Sequence, residues 1–168
     1  GQARAGSDRN WYCATFYRRD RVRAVPGEPQ SEAIWLSPTP EVPASQYSLG
    51  TRPRLVTWTT FEVIESRRIF VFGTTHLEAV NRWHRQRSAR QLQEHVAHKV
   101  AAYGPLVPVF LTGDFNAVAG SPEIRAMRER GHGREPLFDA WSEAGGSDAE
   151  GATFRGLGLR DRMGHLLL

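Results

Sequence analysis

One long amphipathic segment constrains the fold of this chain more than any other feature. Between Arg85 and Tyr103, apolar residues recur every three or four positions, which is the spacing of one buried face of an α-helix. Gly104 and Pro105 follow and are typical of a helix end. The nearly continuous apolar run Leu106–Leu111 comes next and predicts a strand that is covered on both faces. A helix directly before a buried strand predicts a layered α/β domain.

The remaining elements are predicted from shorter patterns. Runs of β-branched and aromatic residues predict strands, and Ser121 followed by Pro122 predicts the start of a second helix. The predicted strands span residues 11–17, 54–64 and 69–75, and a polar turn at 65–68 joins the last two. A further strand-like piece at 33–36 lies in an irregular stretch from 26 to 53. The second helix is predicted to end at Gly131 and Gly133, and a short third helix to span 137–144. This order predicts one compact α/β unit.

Composition excludes several classes of protein. A chain of 168 residues, 40% of them hydrophobic, can bury a core, and no apolar run approaches the roughly 20 residues of a membrane-spanning helix. Cys13 is the only cysteine, which excludes an internal disulfide and a cysteine-based zinc cluster. The formal net charge is +4, and every basic residue except Lys99 is an arginine. This charge is consistent with an anionic partner but does not establish one.

Polar residues follow two of the predicted strands, where a packing role does not require them. His76 follows the strand at 69–75, and Asp114 and Asn116 follow the apolar run that ends at Leu111. In α/β sheets, side chains from neighbouring strand ends converge on ligands. A carboxylate can accept a proton from water or hold a divalent cation, a carboxamide can orient that water, and an imidazole can donate to a phosphoryl oxygen or a leaving group. The three residues therefore predict metal-assisted phosphoester hydrolysis better than acyl transfer.

The other histidines, arginines and tryptophans are interpreted structurally. The arginines of the long helix are interpreted as a solvated face, with steering of phosphate groups as the alternative. Tryptophans are interpreted as packing residues and not as platforms for base stacking. These residues are the histidines 84, 95, 98 and 132, to which no role is assigned, the arginines 82, 85, 87 and 90, and the tryptophans 35, 58, 83 and 141.

Several motifs in order resemble the endonuclease/exonuclease/phosphatase family. The most specific are THL at Thr75–Leu77 and PVFLTGDFNAVAGSPE at Pro108–Glu123. Further segments that match the family's order are ATFYRRDR at 14–21, IWLSPTPEVP at 34–43, RLVTWTTF at 54–61, LFDAWSEAG at 137–145 and GATF at 151–154. The resemblance covers nearly the whole chain.

The resemblance implies a fold, a cofactor and a role for each site residue. The fold would be α/β (α+β), a β-sandwich of two mixed sheets flanked by helices, and the enzyme would be a phosphoesterase that needs Mg²⁺ or Mn²⁺. Asp114 would position or activate the attacking water and ligate the metal, Asn116 would hold the water or the phosphate, and His76 would contact the phosphate or the leaving group. Arg54 is a weaker phosphate-binding candidate. The substrate would carry phosphate, as a nucleic acid, a phospholipid or an inositol phosphate.

The chain departs from the family pattern in ways that predict an incomplete domain. Relatives have an early strand ending in asparagine, then a metal-binding glutamate, and a late Ser-Asp-His segment, none of which lies within residues 1–168. Gly164 stands where relatives have an aspartate, and Glu78 and Ala79 stand where close relatives have an acidic residue and a histidine. Residues 1–168 are therefore predicted to be a partial domain with little or no activity on their own. Two alternatives stay open: a catalytically degenerate anion-binding domain, and a lipid or inositol phosphatase instead of a nuclease.

Overall fold

The fold is that of a computed structural model, which describes residues 2–3, 12–26, 32–129, 136–147, 154–155 and 162–163. The strands are β1 (Gln2–Ala3), β2 (Tyr12–Cys13), β3 (Val22–Ala24), β4 (Glu32–Trp35), β5 (Leu55–Val63), β6 (Ile69–His76), β7 (Val109–Asp114), β8 (Phe154–Arg155) and β9 (Arg162–Met163), and the helices are α1 (Arg82–Tyr103), α2 (Pro122–Arg128) and α3 (Ala140–Glu143). The parts of the prediction that concern Gly131, Gly133, His132 and Gly164 lie outside the described residues.

A five-stranded mixed sheet forms the centre of the fold. Its order is β3-β5-β6-β7, and β4 pairs with the other end of β5. The strands β5 and β6 form the predicted antiparallel hairpin, whereas β6 and β7 run parallel and are connected through α1. The carboxyl ends of β6 and β7 therefore lie side by side at one edge of the sheet, where their following residues can form a site.

The two faces of β5 are covered by different layers. Val56 and Trp58 face the main core, which the helices α1 and α2 complete with Leu92 and Ile124 among others. On the opposite face, Leu55 packs in a cluster with Cys13 and Trp35, and the Thr57 hydroxyl donates a hydrogen bond to the Cys13 carbonyl at 3.0 Å. Successive strand residues point to opposite faces, so β5 is buried along nearly its whole length. The mixed α/β class, with a central sheet flanked by helices, is confirmed.

Both longer helices begin at the capping residues that the backbone requires. The Asn81 side chain accepts a hydrogen bond from the His84 backbone N–H at 3.1 Å, so α1 begins three residues earlier than the apolar spacing predicted. The predicted cap of α2 is confirmed: the Ser121 hydroxyl accepts from the Ile124 N–H, and Pro122 occupies the first turn. A side-chain acceptor at each position satisfies a backbone donor that has no partner within the helix.

Three further predicted boundaries are wrong. The strand predicted at 106–111 spans Val109–Asp114, because the chain after α1 turns through a Val107 N–H to Gly104 carbonyl bond and leaves Leu106 92% exposed. The strand predicted at 11–17 pairs only over Tyr12–Cys13 within the described residues, and its aromatic Phe16 is 93% exposed. The helix predicted at 137–144 is the single turn α3. In each case the apolar pattern includes residues that do not join the strand or helix.

Candidate active site

The register of the parallel strands brings the predicted site residues together. The pairing of β6 with β7 ends at His76 opposite Asp114, and the His76 Nε2 lies 3.6 Å from the Asp114 Oδ2. The His76 side chain is 24% exposed and the Asp114 side chain 52%, so both groups can reach a ligand from solvent. The predicted convergence of these two strand ends is seen in the structure.

Backbone geometry at the end of β7 depends on a glycine. Gly113 has a φ of +137°, and a Cβ at this position would lie 2.0 Å from the Thr75 carbonyl oxygen of the neighbouring strand. No other residue type fits there without moving a backbone. Gly113 therefore allows β7 to approach β6 closely enough for Asp114 to pair with His76.

Hydrogen bonds join the two loops that follow these strands. The Leu77 N–H donates to the Asp114 carbonyl at 2.9 Å. Asn116 has a φ of +48°, its N–H donates to the Asp114 Oδ1 at 2.9 Å, and its Nδ2 donates to the Leu77 carbonyl at 2.9 Å. Because the amide nitrogen of Asn116 is occupied in this way, its Oδ1 is the atom that can orient a water or bind a cation.

Arg54 lies at the site, but as one member of a buried ion pair. Its Nε donates to the Glu78 Oε2 at 3.3 Å, with 8% and 10% of the two side chains exposed. The other Glu78 carboxylate oxygen accepts from the Val80 N–H at 3.0 Å. Glu78 was not predicted as a site residue, although its position directly after THL was a signal.

Two neighbouring cavities open at these residues. One, of about 570 Å³, is lined by His76, Arg54 and Glu78 among others. The other, of about 540 Å³, is lined by Asn116 and several residues of α1 and α2. Ala79 lines both, so the loop between β6 and α1 forms the wall between them.

One of the helix arginines is not solvated as predicted. The Arg85 side chain is 13% exposed, and its Nε donates to the Glu123 Oε1 at 3.1 Å. Its Nη1 donates to the carbonyls of Glu78 and Ala79 at 2.9 and 3.1 Å. The interpretation of Arg85 as a solvated residue is therefore wrong, because its guanidinium joins the wall of the two cavities to α2.

The described residues supply only part of a cation site. Within the described ranges, no group of three or more His, Cys, Asp or Glu side chains is arranged to hold a metal ion. The Asp114 carboxylate and the Asn116 amide oxygen are hard oxygen donors of the kind that Mg²⁺ and Mn²⁺ prefer. These two residues fit as contributors to a metal site but do not complete one.

As for membranes, no helix among the described residues has the length and hydrophobicity needed to span a bilayer.

Protonation of Glu78 is expected to affect stability. Burial raises the pKa of this carboxyl, but the Val80 N–H and the Arg54 guanidinium outweigh burial and hold the pKa below its ordinary 4.5. A carboxyl with a lowered pKa stabilises the folded state above its ordinary pKa, and this stabilisation is lost as the pH falls through the lowered value.

We expect Glu78→Gln to lower the free energy of unfolding at pH 7 by about 1–3 kcal/mol, because Arg54 stays buried without a carboxylate. The difference from the unmodified protein should shrink as the pH falls below the ordinary pKa of 4.5. Urea unfolding at neutral and acidic pH measures both effects, with Glu65→Gln in the exposed hairpin turn as the control. A pH-independent difference would contradict the ionic role.

The chain is similar in sequence and in fold to known proteins. The model of the endonuclease/exonuclease/phosphatase family matches residues 4–163. No curated protein gave a significant match. A solved family member from Bacteroides thetaiotaomicron is 28% identical over 75% of this chain and 42% of its own, with a TM-score of 0.62. A mannosyl-6-phosphatase from the same organism is 26% identical over 90% of this chain and 54% of its own, with a TM-score of 0.70.

A third match shows the fold alone. The human Nocturnin catalytic domain, solved with a bound sulfate anion, is 18% identical over 89% of this chain and 48% of its own, with a TM-score of 0.62. The chain thus spans about half the length of these solved structures. With a family model that covers nearly all of its residues, the chain belongs to the endonuclease/exonuclease/phosphatase family.

Proposed function

We propose that residues 1–168 form part of the catalytic domain of a phosphoesterase that hydrolyses a phosphodiester or a phosphomonoester. The observation that carries the proposal is the convergence of His76, Asp114 and Asn116 at the ends of two parallel strands. A carboxylate, an amide oxygen and an imidazole there match the needs of water attack on phosphorus. Family membership supports the same reaction class, because enzymes of this family are phosphoesterases.

Each residue has a role that its contacts allow. Asp114 positions the attacking water and accepts its proton, since its half-exposed carboxylate is held by the Asn116 N–H. The Asn116 Oδ1 orients the same water. As water adds to phosphorus, the bond to the leaving-group oxygen breaks, and His76 donates a hydrogen bond to a phosphoryl oxygen or a proton to the leaving group.

Arg54 contributes positive charge to the cavity that His76 lines. Its pairing with Glu78 orients the guanidinium and also reduces its net charge effect. We therefore assign to Arg54 a weaker contact with the substrate phosphate than an unpaired arginine would make.

We propose a divalent cation, Mg²⁺ or Mn²⁺, as the cofactor, because enzymes of this family generally use divalent metals. Asp114 and Asn116 would be among its ligands. When bound, such a cation offsets negative charge on the phosphoryl oxygens.

The substrate that is hydrolysed distinguishes a nuclease from a phosphatase. The 26% identical relative is named a mannosyl-6-phosphatase, which supports including phosphomonoesters of sugars among the candidates. A panel of bis(p-nitrophenyl) phosphate, p-nitrophenyl phosphate, mannose 6-phosphate and single-stranded DNA distinguishes diester from monoester hydrolysis.

Metal removal tests the proposal. In the protein expressed from its complete reading frame, EDTA should reduce hydrolysis of the preferred substrate by at least about 10²-fold, and added Mg²⁺ or Mn²⁺ should restore it. Ca²⁺ and Zn²⁺ serve as matched additions at the same ionic strength. Full activity in EDTA would contradict the proposed cofactor, and no hydrolysis of any phosphoester with any of these metals would favour a degenerate anion-binding domain.

A further inference from the structure

One stripe of α1 faces away from the candidate active site and lines a separate cavity. Trp83, Arg87, Arg90 and Glu94 recur at the three- and four-residue spacing of a single helix face. With the loop that contains Tyr47, this stripe lines a cavity of about 560 Å³. We call it the α1 cavity.

The α1 cavity is built by specific contacts between the loop and the helix. The Gln91 Nε2 donates to the carbonyls of Trp35 and Ser37 at 3.3 and 3.1 Å. Its Oε1 accepts from the Tyr47 hydroxyl at 3.2 Å, and the Tyr47 ring stacks on His84 with centroids 5.4 Å apart. These bonds hold the aromatic wall of the cavity in place.

Arg87 is oriented by two aromatic rings. Its guanidinium carbon lies 4.5 Å from the Trp83 ring centroid and 5.4 Å from that of Tyr47. Stacking of this kind restricts the guanidinium while its N–H groups stay able to donate. Among the described residues, neither Arg87 nor Arg90 forms an ion pair with a carboxylate, whereas Arg85, on the opposite face of the helix, is paired with Glu123. Glu94 lines the same cavity with one carboxylate, so the two arginines leave a net positive charge that can bind a phosphate group.

Trp83 adds a surface for a planar ring. Although Arg87 covers one face of the indole, the residue is 56% exposed. The described lining of the cavity consists of aromatic rings, prolines and polar side chains, without aliphatic side chains that would enter a bilayer. Phosphate-binding arginines next to an exposed aromatic ring are the usual components of a site for single-stranded nucleic acid.

The α1 cavity and the candidate active site lie on different sides of α1. Arg82 lines the cavity that contains Asn116, whereas Arg87 and Arg90 lie about 8 and 12 Å further along the helix axis, at a rise of 1.5 Å per residue, on the face that lines the α1 cavity. A strand that occupied both places would pass around the helix, so the α1 cavity is a distal contact and not a part of the cleavage site.

We propose that the α1 cavity is a binding subsite for single-stranded nucleic acid, in which Arg87 and Arg90 contact a backbone phosphate and Trp83 stacks on a base. As a substrate subsite it rests on the proposed phosphoesterase function, whereas binding itself can be measured without turnover. The exposure of Arg87 and Arg90 agrees with their interpretation as part of a solvated face, and the proposal takes up the alternative, contact with phosphate groups. Trp83 is 56% exposed and is not part of the hydrophobic core.

The test measures binding of a fluorescently labelled single-stranded oligonucleotide by anisotropy, in EDTA, to the protein expressed from its complete reading frame. Loss of the one phosphate that Arg87 and Arg90 neutralise should reduce the steepness of log K against log salt by about 0.7 in the double variant Arg87→Gln/Arg90→Gln. Trp83→Ala should weaken binding about tenfold, whereas Trp83→Phe should retain most of the affinity. All three positions are solvent-exposed, so the core is undisturbed.

The control variant removes the same amount of positive charge outside the α1 cavity. Arg125→Gln/Arg128→Gln changes two exposed arginines of α2 that do not line the α1 cavity, and it should leave the salt dependence nearly unchanged. The proposal would be overturned by equal effects of the two double variants or by an unchanged slope with Arg87→Gln/Arg90→Gln. It would also be overturned if no oligonucleotide bound at all, or if the protein bound only to anionic phosphatidylserine vesicles. Hydrolysis of bis(p-nitrophenyl) phosphate by the unmodified protein, assayed in parallel, tests the phosphoesterase function alone.

Discussion

Replacing Asp114 by asparagine is expected to lower kcat/KM for the preferred phosphoester by about 10²–10⁴-fold. Asparagine has nearly the same shape and keeps an oxygen that can accept the hydrogen bond from the Asn116 N–H. It removes the negative charge that faces His76 at 3.6 Å and that can take a proton from water. The loss should therefore be catalytic and not structural.

Steady-state kinetics with thermal unfolding of the same samples measure both parts of this prediction. The matched control is Asp20→Asn, which makes the same chemical change at an exposed aspartate outside the site. If Asp114→Asn keeps kcat/KM within a factor of ten of the control, Asp114 does not have the role proposed for it. A large drop in the unfolding temperature would instead indicate that the carboxylate acts through stability.

Replacing Gly113 by alanine is expected to lower the free energy of unfolding by about 3–5 kcal/mol. The added methyl group would lie 2.0 Å from the Thr75 carbonyl oxygen and 2.8 Å from the Thr75 nitrogen, both backbone atoms that cannot rotate away. The φ of +137° adds strain of its own. Since typical domains are stable by only about 5–15 kcal/mol, this one change can unfold a large fraction of the molecules.

The urea midpoint, followed by circular dichroism, measures the effect. Gly120→Ala is the matched control, because a Cβ there has no atom within 4 Å and the backbone is not in the positive-φ region. The control should change stability by less than about 0.5 kcal/mol. Equal midpoints for the two variants would show that β6 and β7 can separate at Gly113 without cost, against the close approach seen in the structure.

The elements predicted correctly are those with local causes. The apolar spacing of α1, the Ser121 cap of α2 and the alternation in the β5–β6 hairpin each depend on residues a few positions apart. The boundaries that were wrong depend on which residues find backbone hydrogen-bonding partners in the folded chain. Leu106 is as apolar as its neighbours but lies in the turn after Gly104, so the strand begins at Val109. Apolar character alone does not identify which residues join a sheet.

The same distinction between local causes and tertiary partners applies to the candidate site. The motifs at Thr75–Leu77 and Pro108–Glu123 were enough to predict His76, Asp114 and Asn116, because strand-end residues meet wherever two parallel strands are neighbours. The pairing of Arg54 with Glu78 was not predicted, and its effect on the role of Arg54 could not be inferred from the motif. The convergence of these three residues was therefore predictable, whereas the charge balance around them was not.

By itself, the sequence determined the main helices and hairpin, the family and the three residues at the strand ends, since these depend on local pattern and on short motifs. Only the tertiary structure decided which arginines are available to a ligand. Arg85 and Arg87 are two positions apart on one helix, yet Arg85 is paired with Glu123 and Arg87 stacks on Trp83 at an open cavity. The physical reason is that residues two positions apart on a helix face different directions, so Arg85 meets Glu123 and Arg87 meets Tyr47, each from a distant part of the chain.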